Sequence, residues 1–147
     1  MRAISFLLFG FVYIFAADFW TLSGLSKANV YVSNEVSLID PETISSIKRN
    51  MRNTLEGEGV KTNQRDSPTL MLILNEIEND GTHYVYIELS LGEDVHTFRD
   101  EKSVSFALTY NINDFLEIDE SELDSEILAS VATLLARFAK QFEDDKE

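Results

Sequence analysis

The side chains that ordinarily move a proton near neutral pH are two, His83 and His96, and there is no cysteine anywhere in the 147 residues to join them in binding a soft metal ion. A structural zinc site needs three or four convergent ligands, and neither histidine sits in an H-E-x-x-H spacing. Both read as surface or edge histidines, with a shared cation site as the alternative if a sheet brings them together. Asp119, Glu120, Glu122, Asp124 and Glu126 have the composition of a calcium loop but lack its glycine and its alternating D-x-[DN] order. A helix start explains them better. No glycine-rich phosphate loop is present, and no G-x-S-x-G elbow offers an activated serine. With 26 acidic residues some close carboxylate pair is inevitable, so such a pair says little about glycoside chemistry. The expectation is a protein that is not an enzyme, with no catalytic residue, metal ligand or cofactor to assign.

The stretch that must position anything functional is Thr69 to Leu91. Leu70 to Leu74 is an unbroken apolar run, as in a strand covered on both faces. Asn79-Asp80-Gly81 supplies residues that tolerate positive φ at a tight hairpin turn. On the return, Val85, Ile87, Leu89 and Leu91 point one way, while Tyr84, Tyr86, Glu88 and Ser90 point the other. The first set is core. The tyrosines fill a half-buried sheet face, lie at a wet edge, or bind something, and Tyr84, Tyr86 and Glu88 are the candidate binding residues.

Residues 1–16 stand apart from the fold. Arg2 precedes an uncharged apolar run from Ile4 to Phe15, and Ala16 and Ala17 follow, the pattern of a cleavable export signal. The run is shorter than the roughly 20 residues a membrane span needs; an uncleaved anchor is the alternative. An exported chain without cysteine has no disulfides, which suits a bacterial periplasm. The formal net charge of −14 repels phosphate backbones and anionic headgroups, so neither nucleic acid nor membrane insertion of the mature chain is expected. A basic protein face or a cation would be attracted.

The remaining chain supplies the scaffold. Residues 17–28 form a lead-in segment, and Asn29 to Leu38 reads as a strand. Asp40-Pro41 starts a helix carrying Ile44, Ile47, Met51 and Leu55 on one face, with Gly57 and Gly59 closing it. A short strand is expected at Val60 to Asn63. Ser103 to Tyr110 alternates, Val104, Phe106, Leu108 and Tyr110 facing the core and Ser105, Ala107 and Thr109 facing away. Asn111 to Asp119 reads as a loop tucked down by Phe115 and Ile118. A second helix follows with the stripe Leu123, Ile127, Val131, Leu134, Leu135, Phe138 and Phe142, and 143–147 is a charged tail expected to fray. The fold expected for 29–142 is a single α+β domain, a two-layer sandwich of four to five mostly antiparallel strands with two helices on one face. The other face, bearing Tyr84, Tyr86, Glu88, Ser105 and Thr109, would be open.

The run VYVSNEVSLIDPETISSIKRNM, then LEGEGVKT, SPTLMLILNEIENDGTHYVYIELSL and SVSFALTY, closed by an amphipathic helix, resembles strand–helix–multistrand–helix modules of bacterial envelope proteins. Examples are the amino-terminal domain of the Tol-system propeller protein and the activators of penicillin-binding proteins. It is also similar to short uncharacterised periplasmic proteins of proteobacteria that share the SPTL and FALTY stretches. The resemblance implies a periplasmic accessory or protein-interaction module of the cell envelope with a protein partner. It carries no site residue across, and the activators' lipidated cysteine has no counterpart here. The alternative is a small-ligand or divalent-cation-binding periplasmic protein using acidic residues with His83 and His96.

Overall fold

Leu70, Leu72 and Leu74 are fully buried, while Met71 and Ile73 between them are only half covered. The apolar run is therefore an inner strand of the sheet. The computed structural model describes residues 21–66, 68–80 and 82–146, without the side chains of 100–102; the export signal expected at 1–16 and residues 17–20 lie outside the described residues. The elements run β1 (Asn29–Asn34), α1 (Pro41–Gly57), β2 (Thr69–Asn79), β3 (Thr82–Thr97), β4 (Asp100–Asp119), a short 3-10 turn (Glu120–Glu122) and α2 (Leu123–Asp144). Strand order is β1-β2-β3-β4. β1 runs parallel to β2, with α1 as the crossover that parallel pairing requires, and the other pairs are antiparallel. Asp80 takes φ +51° in the turn between β2 and β3, as a tight hairpin demands.

Both helices lie on one face. Ile47, Met51 and Leu55 of α1 meet Ile127, Val131, Leu134 and Phe138 of α2 over Leu72, Leu74, Ile87 and Leu89. The Asp40 side chain accepts the Glu42 N–H at 2.8 Å. Asp124, in the first turn of α2, accepts the Asp40 N–H at 3.0 Å, so a carboxylate of one helix holds the start of the other. α1 closes with Gly59 at φ +81° and the Val60 N–H reaching back to the Leu55 carbonyl, the left-handed ending that glycine permits. Ser130 donates to Asp114 at 2.7 Å and ties α2 to β4.

Four expectations are corrected. Asn111 to Asp119 is the second half of β4, because these residues pair one-for-one with Thr82 to Ser90; Ile118 is buried, but Phe115 points out and is 62% exposed. Val60 to Asn63 forms only a bridge from Lys61 to Lys27. The tail is tied down: Asp145 accepts the Leu22 N–H at 2.6 Å, and Lys146 sits 3.1 Å from Glu58 Oε2 and over the Phe142 ring. The fourth concerns faces. Leu91 pairs with Tyr110 but Gly92 with Leu108, which leaves Thr109 as an extra residue in β4. Tyr110 is buried edge-on to Phe138, centroids 5.3 Å apart, whereas Val104, Phe106 and Leu108 are exposed. Ser105, paired with Val95, belongs to the helix-side set, and Thr109 turns to Glu93. The described part of the lead-in segment packs Leu22 and Leu25 into the helix-side core and leaves the opposite sheet face bare.

Candidate functional site

Tyr84, Tyr86 and Glu88 alternate with the buried Val85 and Ile87, so β3 turns all three to the bare face, where each is half-buried. Their neighbours on β4 are Glu117, Phe115 and Asn113, and on β2 Ile77, Asn75 and Ile73. Tyr84 and Phe115 stack diagonally, centroids 6.3 Å apart and rings inclined by 22°. The Tyr86 hydroxyl donates to Glu88 Oε2 at 3.0 Å. Burial, and then the adjacent Glu88 carboxylate, push the Tyr86 phenol above its ordinary value. The three residues named from sequence are therefore together, and Phe115 completes the cluster. Sequence reasoning missed Phe115 because its segment lacks clean alternation at Asn111 to Asp114.

The same face continues into the arm where β3 and β4 outrun β2, which ends opposite Gly92. Phe106 lies across Gly92: a β-carbon there would collide with the Phe106 ring and approach Met71 Cε to 2.9 Å. Glycine is thus what lets the ring bridge β4 towards β2. Tyr31, Ile77, Val104, Phe106, Leu108 and Phe115 together expose an apolar surface rarely left open on a sheet.

On the helix side, one polar cluster escaped the sequence reading. Glu76 and His83 share the parity of the buried Leu74 and Val85, and both side chains are almost wholly enclosed. His83 Nδ1 lies 2.5 Å from Glu76 Oε1, while Ser37 presents both its N–H and its hydroxyl to Glu76 Oε2 at 2.9 Å. Burial by itself would raise the Glu76 carboxyl; the Ser37 N–H, His83 and the Ser37 hydroxyl outweigh it and hold the group below its ordinary value. The carboxylate stands between serine and histidine, so the imidazole does not reach the hydroxyl, and the order needed to activate a nucleophile is absent. The cluster fastens the loop after β1 to the end of the sheet. Strand parity, with Glu76 in step with Leu74 and His83 in step with Val85, is the signal that would have found it.

His96 lies in the arm, thirteen residues from His83 on the same strand and so about 40 Å away at roughly 3.3 Å per residue. The strand points the two to opposite faces, and the shared cation site weighed for them is not formed. Among the described residues no group of three or more His, Asp or Glu side chains converges as a metal site would require. The acidic run after Asp119 begins the 3-10 turn and α2 and is a helix start. A shallow cleft of about 170 Å³ lies between the lead-in segment, Pro68, Leu91 and Glu93; it gathers no acid–base pair.

No protein-family model and no curated protein matches this chain. Solved structures are similar to it at low sequence identity. A minor lipoprotein from Acinetobacter baumannii is 11% identical with a TM-score of 0.37, covering 83% of this chain and 95% of its own. PelC from Paraburkholderia phytofirmans, a dodecamer in its crystal, is 18% identical with a TM-score of 0.45 over 79% of this chain and 87% of its own. An uncharacterised protein at 12% identity has a TM-score of 0.41 over 83% and 95%. No helix among the described residues is long and apolar enough to cross a membrane.

Proposed function

We propose that this chain is a non-enzymatic interaction module of the bacterial cell envelope, docking a protein partner on the bare face of its sheet. The observation that carries the reading is the face itself. With strands about 4.8 Å apart and about 3.3 Å per residue, the six residues of β1, the 11 of β2 and the stretches of β3 and β4 paired alongside present about 600 Å² before the arm is added, against the roughly 800 Å² each partner buries in a standard protein interface. Six large apolar side chains stand exposed on the face and its arm, while the helix side is closed. The envelope assignment rests on the leader pattern at 1–16 and the absence of cysteine.

The test is recovery of partners from a bacterial envelope fraction by the native chain and by Tyr84→Ala/Tyr86→Ala. Both side chains are half-exposed, so the double variant is expected to stay folded, checked by thermal melting, and to lose the partner. Equal recovery by both forms removes the face from the reading.

A further inference from the structure

Charge is distributed unevenly over this molecule. β1, β2 and β3 contain no lysine or arginine, and β4 holds only Lys102, at the start of the arm. The cations lie on α1 (Lys48, Arg49, Arg52), on α2 (Arg137, Lys140) and in loops. On the bare face, by contrast, two carboxylates sit within a group of rings. Glu117 stands directly across from Tyr84, Phe115 stacks diagonally on Tyr84 and faces Tyr86, and Tyr86 holds Glu88. Ring faces attract a cation through their quadrupole and carboxylates attract it by charge, so the two together suit an ammonium or, better, a flat guanidinium. No lysine or arginine of β1, β2 or β3 competes for that place.

We infer that the partner bound here is a cationic and apolar polypeptide segment. Its arginine or lysine side chains settle against Tyr84, Phe115 and Glu117 and against Tyr86 and Glu88, and its apolar side chains cover Ile77, Phe106 and Leu108. The inference rests on the bare face being a docking surface and adds the chemistry of what docks. A second copy fits poorly, because it would set Glu88 and Glu117 against the same residues of a body that itself carries −14. Nucleic acid and anionic lipid are repelled by the same charge.

Two synthetic extended peptides test this, one alternating arginine with leucine and one with citrulline, the uncharged isostere, in each arginine position. Titration calorimetry at low salt with the full chain is expected to show the arginine peptide binding at least about tenfold more tightly than the citrulline peptide. Glu88→Gln/Glu117→Gln should weaken the arginine peptide about tenfold. Glu42→Gln/Glu143→Gln, which changes net charge equally on the helix side, should leave it within about twofold by the same scale. Tyr84→Leu/Phe115→Leu keeps the face apolar and should also weaken it. The inference is overturned by equal affinity for both peptides, by equal weakening from the two carboxylate pairs, by no measurable binding, or by a dimer in sedimentation that the face variants dissolve. Equal affinity for the two peptides, with both lost in the Tyr84→Leu/Phe115→Leu variant, would defeat the cationic partner yet leave the docking face standing. Unchanged envelope recovery by Tyr84→Ala/Tyr86→Ala defeats the docking face itself.

Discussion

At the scale of residues, the most consequential side chain outside the bare face is Glu76. Its carboxylate collects the Ser37 N–H, the Ser37 hydroxyl and His83 in an almost closed space. A buried acceptor that loses such donors costs roughly 1–3 kcal/mol. Glu76→Gln is therefore expected to lower the denaturation midpoint at neutral pH by about that amount of stability. The sign with pH follows from a carboxyl held below 4.5 in the folded chain. The stabilisation is fully present above the unfolded value of 4.5 and is lost as pH falls through the lower folded value. Denaturant titrations of both forms from neutral pH to below 4.5 check this; the gap between them should narrow on acidification. A gap that stays constant, or widens in acid, contradicts the assignment. Glu76 is legible in the sequence only after β2 is accepted to run through Asn79, because a glutamate following Leu70, Leu72 and Leu74 in parity otherwise reads as solvent-facing.

At the scale of elements, β4 decides which side chains meet solvent. Strand alternation alone puts Val104, Phe106, Leu108 and Tyr110 on one face, and the fold refutes that by one inserted residue. With Thr109 outside the pairing, Tyr110 enters the core against Phe138 while the three residues before it turn to the bare face. Burial raises the Tyr110 phenol to about 12; nearby Arg137 opposes this and Asp145 adds to it. Deleting Thr109 should regularise the pairing and leave both faces as they are, since Leu91 then still meets Tyr110 and Gly92 still meets Leu108. Spectrophotometric titration reads the outcome: one tyrosine ionising near 12 persists in the deletion variant and disappears in Tyr110→Phe. Loss of that titration on deletion would mean that the bulge itself holds Tyr110 inside. A period-2 reading located the first half of the strand but ended it at Tyr110, well short of Asp119, and could not see the bulge, because a single unpaired residue leaves no periodic trace. The helices were more legible. Asp40-Pro41, the stripes from Ile47 to Leu55 and from Leu123 to Phe142, and Gly59 are each fixed by local rules. The site was half legible: Tyr84, Tyr86 and Glu88 follow from alternation in β3, whereas Phe115 and Phe106 depend on cross-strand register that only the folded sheet supplies.

At the scale of the whole molecule, a formal charge of −14 on 147 residues opposes compaction. Ion pairs do little to offset it: Lys140–Asp144 and Arg65–Asp66 are largely exposed, where such pairs contribute little. Salt should therefore stabilise the fold. Melting temperature is expected to climb by several degrees between about 10 mM and 0.5 M sodium chloride, as screening shortens the reach of like-charge repulsion. A fall over that range would show that attractive pairs outweigh the repulsion.

The bond from the Leu22 N–H to Asp145 closes the described chain almost into a loop, on the side of the molecule away from Tyr84 and Phe115. A circularly permuted chain, rejoined by a short linker across that gap and opened at the turn after Asn79, would keep every strand beside its present neighbour. By the same geometry a label or resin coupled at Lys146 leaves the aromatic surface unobstructed, so its contacts can be read with the molecule fixed in place.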